Sequence, residues 1–450
     1  MKILFCSSGP YSGSGYGTQV YHLMKYFTSQ NHQVGLIATD FGKFMPYRTT
    51  PYTFFEVVSL NRFNIEKEMT DLPDYPLYPI RDNDYGWDVI EQHYQHFNAD
   101  ALIFFRDPWK ILEISAPVQI PDTTFIWVPI DHDPVSDTLL KCVRVMPHIV
   151  SMSDFGYNQL VRHGIKNTMI PHCIEPSPEI EHYRGLENLS RLKQLYRSIR
   201  PTPDSNELDD RLLTPSQQNS QLLEEIRGRY PIILISLTNN QFPSRKAIDA
   251  NLQAVRLFVT NYPESKIVIH SNMSGFQNNR REGINMDYIC KQLQFPPGMI
   301  YVPYNDRIVS RHQITELYLV ADILLHCSAG EGFGVPIIEA QYYGTSVVTN
   351  YCTAMPELTY NGICVSQNQK LFVNNVNSYW YYPNIDDVSK ALHQLVTRNK
   401  DLQNRMINDG SRFIRDYFNV DKIGQSWLRL IRQYANNSPK YITISASKKN

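Results

Sequence analysis

Leu325-His326-Cys327-Ser328-Ala329-Gly330-Glu331-Gly332-Phe333-Gly334-Val335-Pro336-Ile337-Ile338-Glu339-Ala340 is the stretch around which the chain is organised. The apolar run Ala321-Asp322-Ile323-Leu324-Leu325 that leads into it has the length of a buried strand. Gly330, Gly332 and Gly334 then let a ligand approach the main chain closely. Pro336 suits the first turn of a helix, where its missing N–H costs nothing, and the helix is expected to run to about Tyr343 with Gly344 as its stop. A glycine loop feeding a helix start offers free N–H groups and a positive dipole end to an anion. Glu331 lies in that loop and Glu339 inside the helix. A site for phosphate alone has no need of carboxylates, whereas carboxylates accept hydrogen bonds from vicinal sugar hydroxyls. The pairing points to a nucleotide-sugar. The competing reading is a plain strand–turn–helix corner with two surface glutamates.

Working outward, Ile232 to Leu237 reads as a strand, and an amphipathic helix through Leu252, Val255, Leu257, Phe258 and Val259 follows Arg245 and Lys246. Lys266 to Ser271 is a strand that ends in His270, and Met299 to Val302 is another. Ser346 to Thr349 is a strand, and helices are expected over Ile385 to Val396, Leu402 to Phe418 and Asp421 to Tyr434. Tyr441 to Asn450 reads as a polar tail.

The chain begins in the same style. Strand Lys2 to Ser7 meets the loop Gly13-Ser14-Gly15-Tyr16-Gly17, a helix with Val20, Leu23, Met24 and Phe27 on one face, and strand Val34 to Ala38. That β-loop-α-β order marks a parallel, doubly wound sheet. The glycine spacing is not that of a dinucleotide fingerprint. Residues from about Phe41 to Trp87 show weak periodicity and read as loops and short strands. Ala101 to Phe105 and Thr124 to Pro129 are buried strands, the second ending in Ile130-Asp131-His132-Asp133-Pro134. Ligands in open α/β sheets bind outside the carboxyl ends of strands, which makes Asp131 and His132 candidates. A turn with Asp133 as a local cap is the structural alternative.

Composition bounds the reading. The chain has 450 residues, 42% hydrophobic and 19% charged, enough for two domains. A net charge of −1 leaves no basic field for nucleic acid. Seven scattered cysteines, never in a Cys-x-x-Cys pair, suit reduced thiols in the cytoplasm. The apolar start is too short for a signal peptide, and no run has the length of a membrane span.

Glu331 to Glu339 resembles the Glu-x7-Glu motif of retaining, nucleotide-sugar-dependent glycosyltransferases with the GT-B fold, the glycosyl transferases group 1. The resemblance implies two Rossmann-like doubly wound domains facing a cleft. It divides the chain into residues 1–172 on the acceptor side, 173–420 for the nucleotide-sugar with a polar insertion at 177–228, and 421–450 as a helix crossing back plus a tail. It implies that Glu331 approaches the donor sugar, that Glu339 holds the ribose, and that Gly332, Phe333, Gly334 and Val335 contact the diphosphate or sugar. Gly15 and Gly17 would lie near the donor phosphates. Asp131 or His132 would contact the donor sugar, His270 would face the cleft, and the main chain around Val302 would lie against the base. Lys246 matches the family's diphosphate-binding lysine. The accompanying arginine is missing near Asn239 and Asn240, so either Arg245 replaces it or the clamp has one cation. Cys173 stands where relatives have glycine.

The implied reaction moves a hexose or N-acetylhexosamine from a UDP- or GDP-sugar to a hydroxyl of a glycan or lipid-linked acceptor. It proceeds with retention, needs no metal or cofactor, and leaves room for peripheral membrane contact. A nucleotide-sugar epimerase or hydrolase, and a silent nucleotide-sugar-binding protein, are the alternatives.

Overall fold

A computed structural model describes residues 1–12, 14–39, 77–78, 85–114, 117–177, 189–198, 217–237, 244–277, 280–281, 283–303, 311–374, 376–435 and 439–445. The expectations for residues 41–76 and 79–84, for Asn239 and Asn240, and for much of 177–228 lie outside them. The chain forms two compact units: Met1–Glu175 with Val376–Ser378 and Phe418–Asn450, and Pro176–Asn375 with Tyr379–Tyr417.

In the first unit, strands β1 (Lys2–Ser7), β2 (Gln33–Ala38), β3 (Leu77–Tyr78), β4 (Ala101–Phe105), β5 (Val118–Pro121), β6 (Thr124–Val128), β7 (His148–Ser151) and β8 (Thr168–Met169) supply the framework. All but β5 join one sheet in the order β3-β2-β1-β4-β6-β7-β8, parallel throughout. Its strands are nearly continuous apolar runs because helices cover both faces. The core gathers Leu4, Leu102, Phe104, Ile126 and Val128 with Trp87 and Tyr94. The helix Val420–Tyr434 packs here through Trp427, fully buried against Phe125 and Trp127. Gly424 meets the ring of Tyr26 so closely that a Cβ would sit 2.1 Å from it. Cys173 needs no glycine geometry, since its φ is not positive and Gln19 brackets its backbone at N (2.8 Å) and O (2.9 Å).

In the second unit, β9 (Ile232–Ser236), β10 (Lys266–His270), β11 (Phe276–Gln277), β12 (Arg280–Arg281), β13 (Ile300–Tyr301), β14 (Ile323–His326), β15 (Ser346–Asn350) and β16 (Ile363–Val365) follow the same logic. Six of them make a second parallel sheet, ordered β13-β10-β9-β14-β15-β16. Ile233, Ile235, Ile267, Ile269 and Leu325 fill its core beside the helices Ile248–Val259 and Ile385–Thr397. The helix Leu189–Ser198 docks through Lys193, whose buried Nζ donates to the carbonyl of Tyr318 (3.1 Å) and to Thr345 Oγ1 (2.6 Å).

Two features depart from the sequence reading. The segment from Tyr441 is not simply a polar tail: β19 (Tyr441–Ile444) pairs antiparallel with β5, from Tyr441 opposite Pro121 to Ile444 opposite Val118. Its β-branched and aromatic residues favour a strand once a partner edge exists, and Ile444 is buried. Between β16 and the helix at Ile385, β17 (Gln367–Val373) and β18 (Ser378–Pro383) form a two-stranded sheet that no sequence signal had marked.

Candidate active site

In the second unit the site is built where strands end. The register sets His270, at the end of β10, opposite Ser236 of β9. Ile323 pairs with Ile233 and Leu324 with Leu234, so His326 at the end of β14 comes level with the same edge. Beyond His326 the chain turns through Gly330–Gly334 into the helix Val335–Tyr342, with Pro336 in its first turn. Gly334 starts that helix at φ +114°, a conformation open to glycine, and a Cβ there would lie 2.9 Å from Ile337 Cδ1. The helix stops at Gly344 in a left-handed conformation, with the Thr345 amide reaching back to the Ala340 carbonyl at 2.8 Å.

Glu331 is the electrostatic centre of this group. Its carboxylate takes Lys246 Nζ at 2.5 Å, Arg245 Nη1 at 2.9 Å and His326 Nε2 at 3.0 Å, and its side chain is 7% exposed. Burial alone would raise its pKa; Lys246, Arg245 and His326 together hold it well below the ordinary carboxylate value. Burial keeps His326 neutral, lowering its pKa against the opposing pull of Glu331. The Glu331 amide donates to Thr353 Oγ1 (2.9 Å).

The loop bearing the two cations is tied to the glycine loop. Arg245 Nη1 donates to the Gly330 carbonyl (2.6 Å), and the Ala329 amide donates to the Arg245 carbonyl (2.7 Å). Ala247 follows at φ +45° and leads into the helix Ile248–Val259. From the other side, Tyr381 of β18 donates its amide to the Ala329 carbonyl (2.9 Å), and Tyr382 donates its hydroxyl to the Ser244 carbonyl (2.8 Å).

Glu339 lies on the helix and accepts from the Tyr318 hydroxyl (3.0 Å). Burial pushes its carboxyl up to about 7, with Tyr318 and Arg311 opposing the shift. His270 is buried, bonds Ser236 Oγ at 3.1 Å, and is held neutral by burial, which lowers its pKa to about 4. Val302 follows β13 at the sheet edge and is half-buried. The structure therefore gathers Arg245, Lys246, Glu331 and the glycine loop tightly, with Glu339 further along the helix that follows.

In the first unit, the helix Gly15–Ser29 begins under a cap from Ser14 Oγ to the Gly17 amide (3.1 Å). Gly17 is required by packing, since a Cβ would fall 2.3 Å from the Gly9 carbonyl oxygen. Gly15 is exposed, and a Cβ there would meet nothing within 4 Å. His132 is buried with both ring nitrogens engaged: Nδ1 with Asp131 Oδ1 (2.9 Å), and Nε2 accepting from the Ser136 amide (3.1 Å). That arrangement puts the ring proton on Nδ1 and leaves Asp131, 27% exposed, as the more open member of the pair. Asp133 does not cap the helix Asp137–Arg144, a task taken by Ser136.

Several participants were not singled out from the sequence. His326 and Asn251 look like core residues of a strand and a helix, and only their polarity in apolar surroundings marks them. At the carboxyl end of β4, Arg106 donates to Ser8 Oγ (2.8 Å) and lies over the rings of Tyr16 and Tyr85. Tyr16 in turn donates to Asp107 Oδ1 (2.9 Å). Among the described residues, no group of three or more His, Cys, Asp or Glu is placed to hold a metal ion, and no helix is long and apolar enough to cross a membrane.

Residues 233–413 match the family model of glycosyl transferases group 1. No curated protein matches the chain. Among solved structures, a glycosyltransferase from Rickettsia africae is 15% identical, covering 97% of this chain and 99% of its own, with a TM-score of 0.58. Sucrose-phosphate synthase from Thermosynechococcus elongatus is 13% identical, covering 96% and 98%, with a TM-score of 0.61. HepE from Anabaena in complex with UDP-glucose is 13% identical, covering 96% and 100%, with a TM-score of 0.58. The two parallel-sheet units thus have the GT-B glycosyltransferase fold, and residues 233–413, nearly all of them in the second unit, carry the match to glycosyl transferases group 1.

Proposed function

We propose that the chain is a glycosyltransferase that moves a hexose or N-acetylhexosamine from a nucleoside diphosphate sugar to a hydroxyl of a glycan or lipid-linked acceptor, with retention and without a metal. One observation carries this reading: Arg245 and Lys246 converge on a single carboxylate beside a glycine loop that opens a helix. Two cations and a helix N-terminus suit a diphosphate, and the carboxylate among them suits a sugar hydroxyl. Arg245 shares the site with Lys246, which supports it as the second cation of the clamp. The UDP-glucose complex of Anabaena HepE favours a uridine nucleotide over a guanosine one.

In this reading the acceptor oxygen bonds to the sugar's anomeric carbon as the bond from that carbon to the diphosphate oxygen breaks. The diphosphate keeps the electron pair and takes up the acceptor's proton. Arg245, Lys246 and the amides at Gly332 to Val335 stabilise the charge that develops on the departing oxygen. Glu331 orients the sugar, Glu339 holds the ribose, and Val302 lies near the base. Asp131 presents its carboxylate to substrate while His132 fixes its direction, and Gly15 leaves room for close approach. His270, bonded to Ser236, shapes the edge of the site. None of the seven cysteines is joined in a disulfide, which supports a cytoplasmic setting.

The test is turnover of a panel of UDP-, GDP-, ADP- and dTDP-sugars in metal-free buffer, with and without simple glycan acceptors. Nucleotide release that depends on acceptor, with an α-linked product from an α-linked donor, is the expected result. Release or epimer formation without acceptor would replace the transferase reading with a hydrolase or an epimerase. Binding without turnover in any condition would point to a silent binding protein.

A further inference from the structure

The Arg245–Lys246 pair is already engaged by an anion of the chain's own. Glu331 Oε1 lies 2.5 Å from Lys246 Nζ and Oε2 lies 2.9 Å from Arg245 Nη1, so one carboxylate spans both cations. These are the groups that a diphosphate needs. A phosphate arriving at them meets a pair whose short charged contacts are directed at Glu331.

We infer that donor binding is an exchange, in which the diphosphate displaces the Glu331 carboxylate from Arg245 and Lys246, and that His326 is the positioning residue that keeps the displaced carboxylate paired. The inference rests on the proposed donor site and adds to it the order of events and the role of His326. Three observations support it. The Glu331 side chain is 7% exposed, so a carboxylate that loses both cations has little water to turn to. His326 Nε2 reaches Oε1 at 3.0 Å from the fully buried end of β14, a contact independent of either cation. His326 Nδ1 is buried and without a hydrogen-bond partner among the described residues, so the ring's polar contacts are all made through Nε2, with Glu331 Oε1 at 3.0 Å and, more distantly, Ser328 Oγ at 3.5 Å. The Thr353 hydroxyl accepts from the Glu331 amide, a backbone contact that does not involve the carboxylate.

The exchange makes Glu331 and His326 act in opposite directions on anion affinity. Removing the Glu331 charge removes the internal competitor, so a diphosphate binds the cations without first breaking two short ion pairs. Removing His326 barely changes the resting state, where two cations remain, but leaves the displaced carboxylate buried and unpaired. A residue that mattered only for the integrity of the loop would weaken binding in either case.

The experiment titrates inorganic pyrophosphate, and separately UDP, into wild type, Glu331→Gln, His326→Leu, His326→Gln and the double variant E331Q/H326L, with melting temperatures recorded for each. Glu331→Gln is expected to tighten pyrophosphate by about tenfold, the scale of one desolvated charge pair. His326→Leu is expected to weaken it by a similar factor, with His326→Gln, which retains a side-chain N–H donor, restoring most of the loss. In E331Q/H326L the His326 effect should vanish, because no carboxylate is left to anchor. Unchanged or weaker pyrophosphate binding by folded Glu331→Gln would overturn the exchange. Equal losses in His326→Leu and His326→Gln would overturn the positioning role and do not require Glu331→Gln to fold. If folded wild type binds neither pyrophosphate nor UDP, the donor-site reading fails and the exchange fails with it. If wild type binds both while the variants show no opposition, only the exchange fails.

Discussion

Asn251 and Cys327 exchange a pair of hydrogen bonds, the Asn251 Nδ2 donating to the Cys327 carbonyl at 3.1 Å and the Cys327 amide donating to Asn251 Oδ1 at 3.3 Å. The side-chain amide thereby acts as a strand partner for the residue just past β14. Asn251 Nδ2 also donates to the carbonyls of Lys246 (3.2 Å) and Ala247 (2.8 Å), so one fully buried side chain joins the cation loop to the segment that leads from β14 to Glu331. Asn251→Ala would leave the Cys327 main chain unsatisfied in the core. It is expected to cost about 3 kcal/mol, read as a lowered denaturation midpoint, and to weaken UDP binding in the folded fraction.

Gly334→Ala tests the loop geometry. The φ of +114° is strained for any L-residue, and the added Cβ would meet Ile337 Cδ1 at 2.9 Å. A loss of about 2 kcal/mol is expected by chemical denaturation. An unchanged midpoint would mean that the helix Val335–Tyr342 starts in another way.

The two glycines of the first unit should separate. In Gly17→Ala the new methyl would collide with the Gly9 carbonyl oxygen, a backbone atom, and a loss of about 2–3 kcal/mol is expected. Gly15→Ala meets nothing within 4 Å and should leave stability within about 0.5 kcal/mol of wild type. If Gly15 gives substrate its access, Gly15→Ala should still slow transfer. Full activity in Gly15→Ala would remove that residue from the site.

Glu339 supplies a pH dependence. Its folded pKa is raised from 4.5 to about 7, so the native state holds its proton longer than the unfolded chain does. The associated stability is fully present below about pH 4.5 and falls as pH rises through about 7. Ribose hydroxyls favour the ionised carboxylate, so affinity for UDP-glucose, whose diphosphate does not titrate in this range, should rise between pH 6 and 8. The gain is expected to reach up to about tenfold, the change in ionised fraction, and Glu339→Gln should be flat across the range.

The sequence made the scaffold of this site legible and left its wiring obscure. Gly334, Pro336 and Gly344 each answer a backbone demand that few residues meet, and the buried parallel strands are continuous apolar runs, so the strand–loop–helix corner could be read directly. Glu331 and Lys246 stood out by resemblance, yet nothing local says that Lys246 and Glu331, 85 positions apart, form an ion pair. His326 and Asn251 sit inside apolar patterns, and the partners that explain them come from other segments. β19 was missed for the same reason: its partner β5 lies more than 300 residues earlier, and a short run of Tyr, Ile and Thr has no structure until that edge exists.

The measurement that bears most directly on the central claim is titration of UDP into wild type and Lys246→Met in metal-free buffer. Lys246→Met leaves Glu331 paired with Arg245 and His326, so the fold should persist. Binding to wild type with a loss of at least about tenfold in the variant is the expected result. Equal affinity in the two proteins, or a folded wild type that does not bind UDP or any other nucleoside diphosphate, would contradict it.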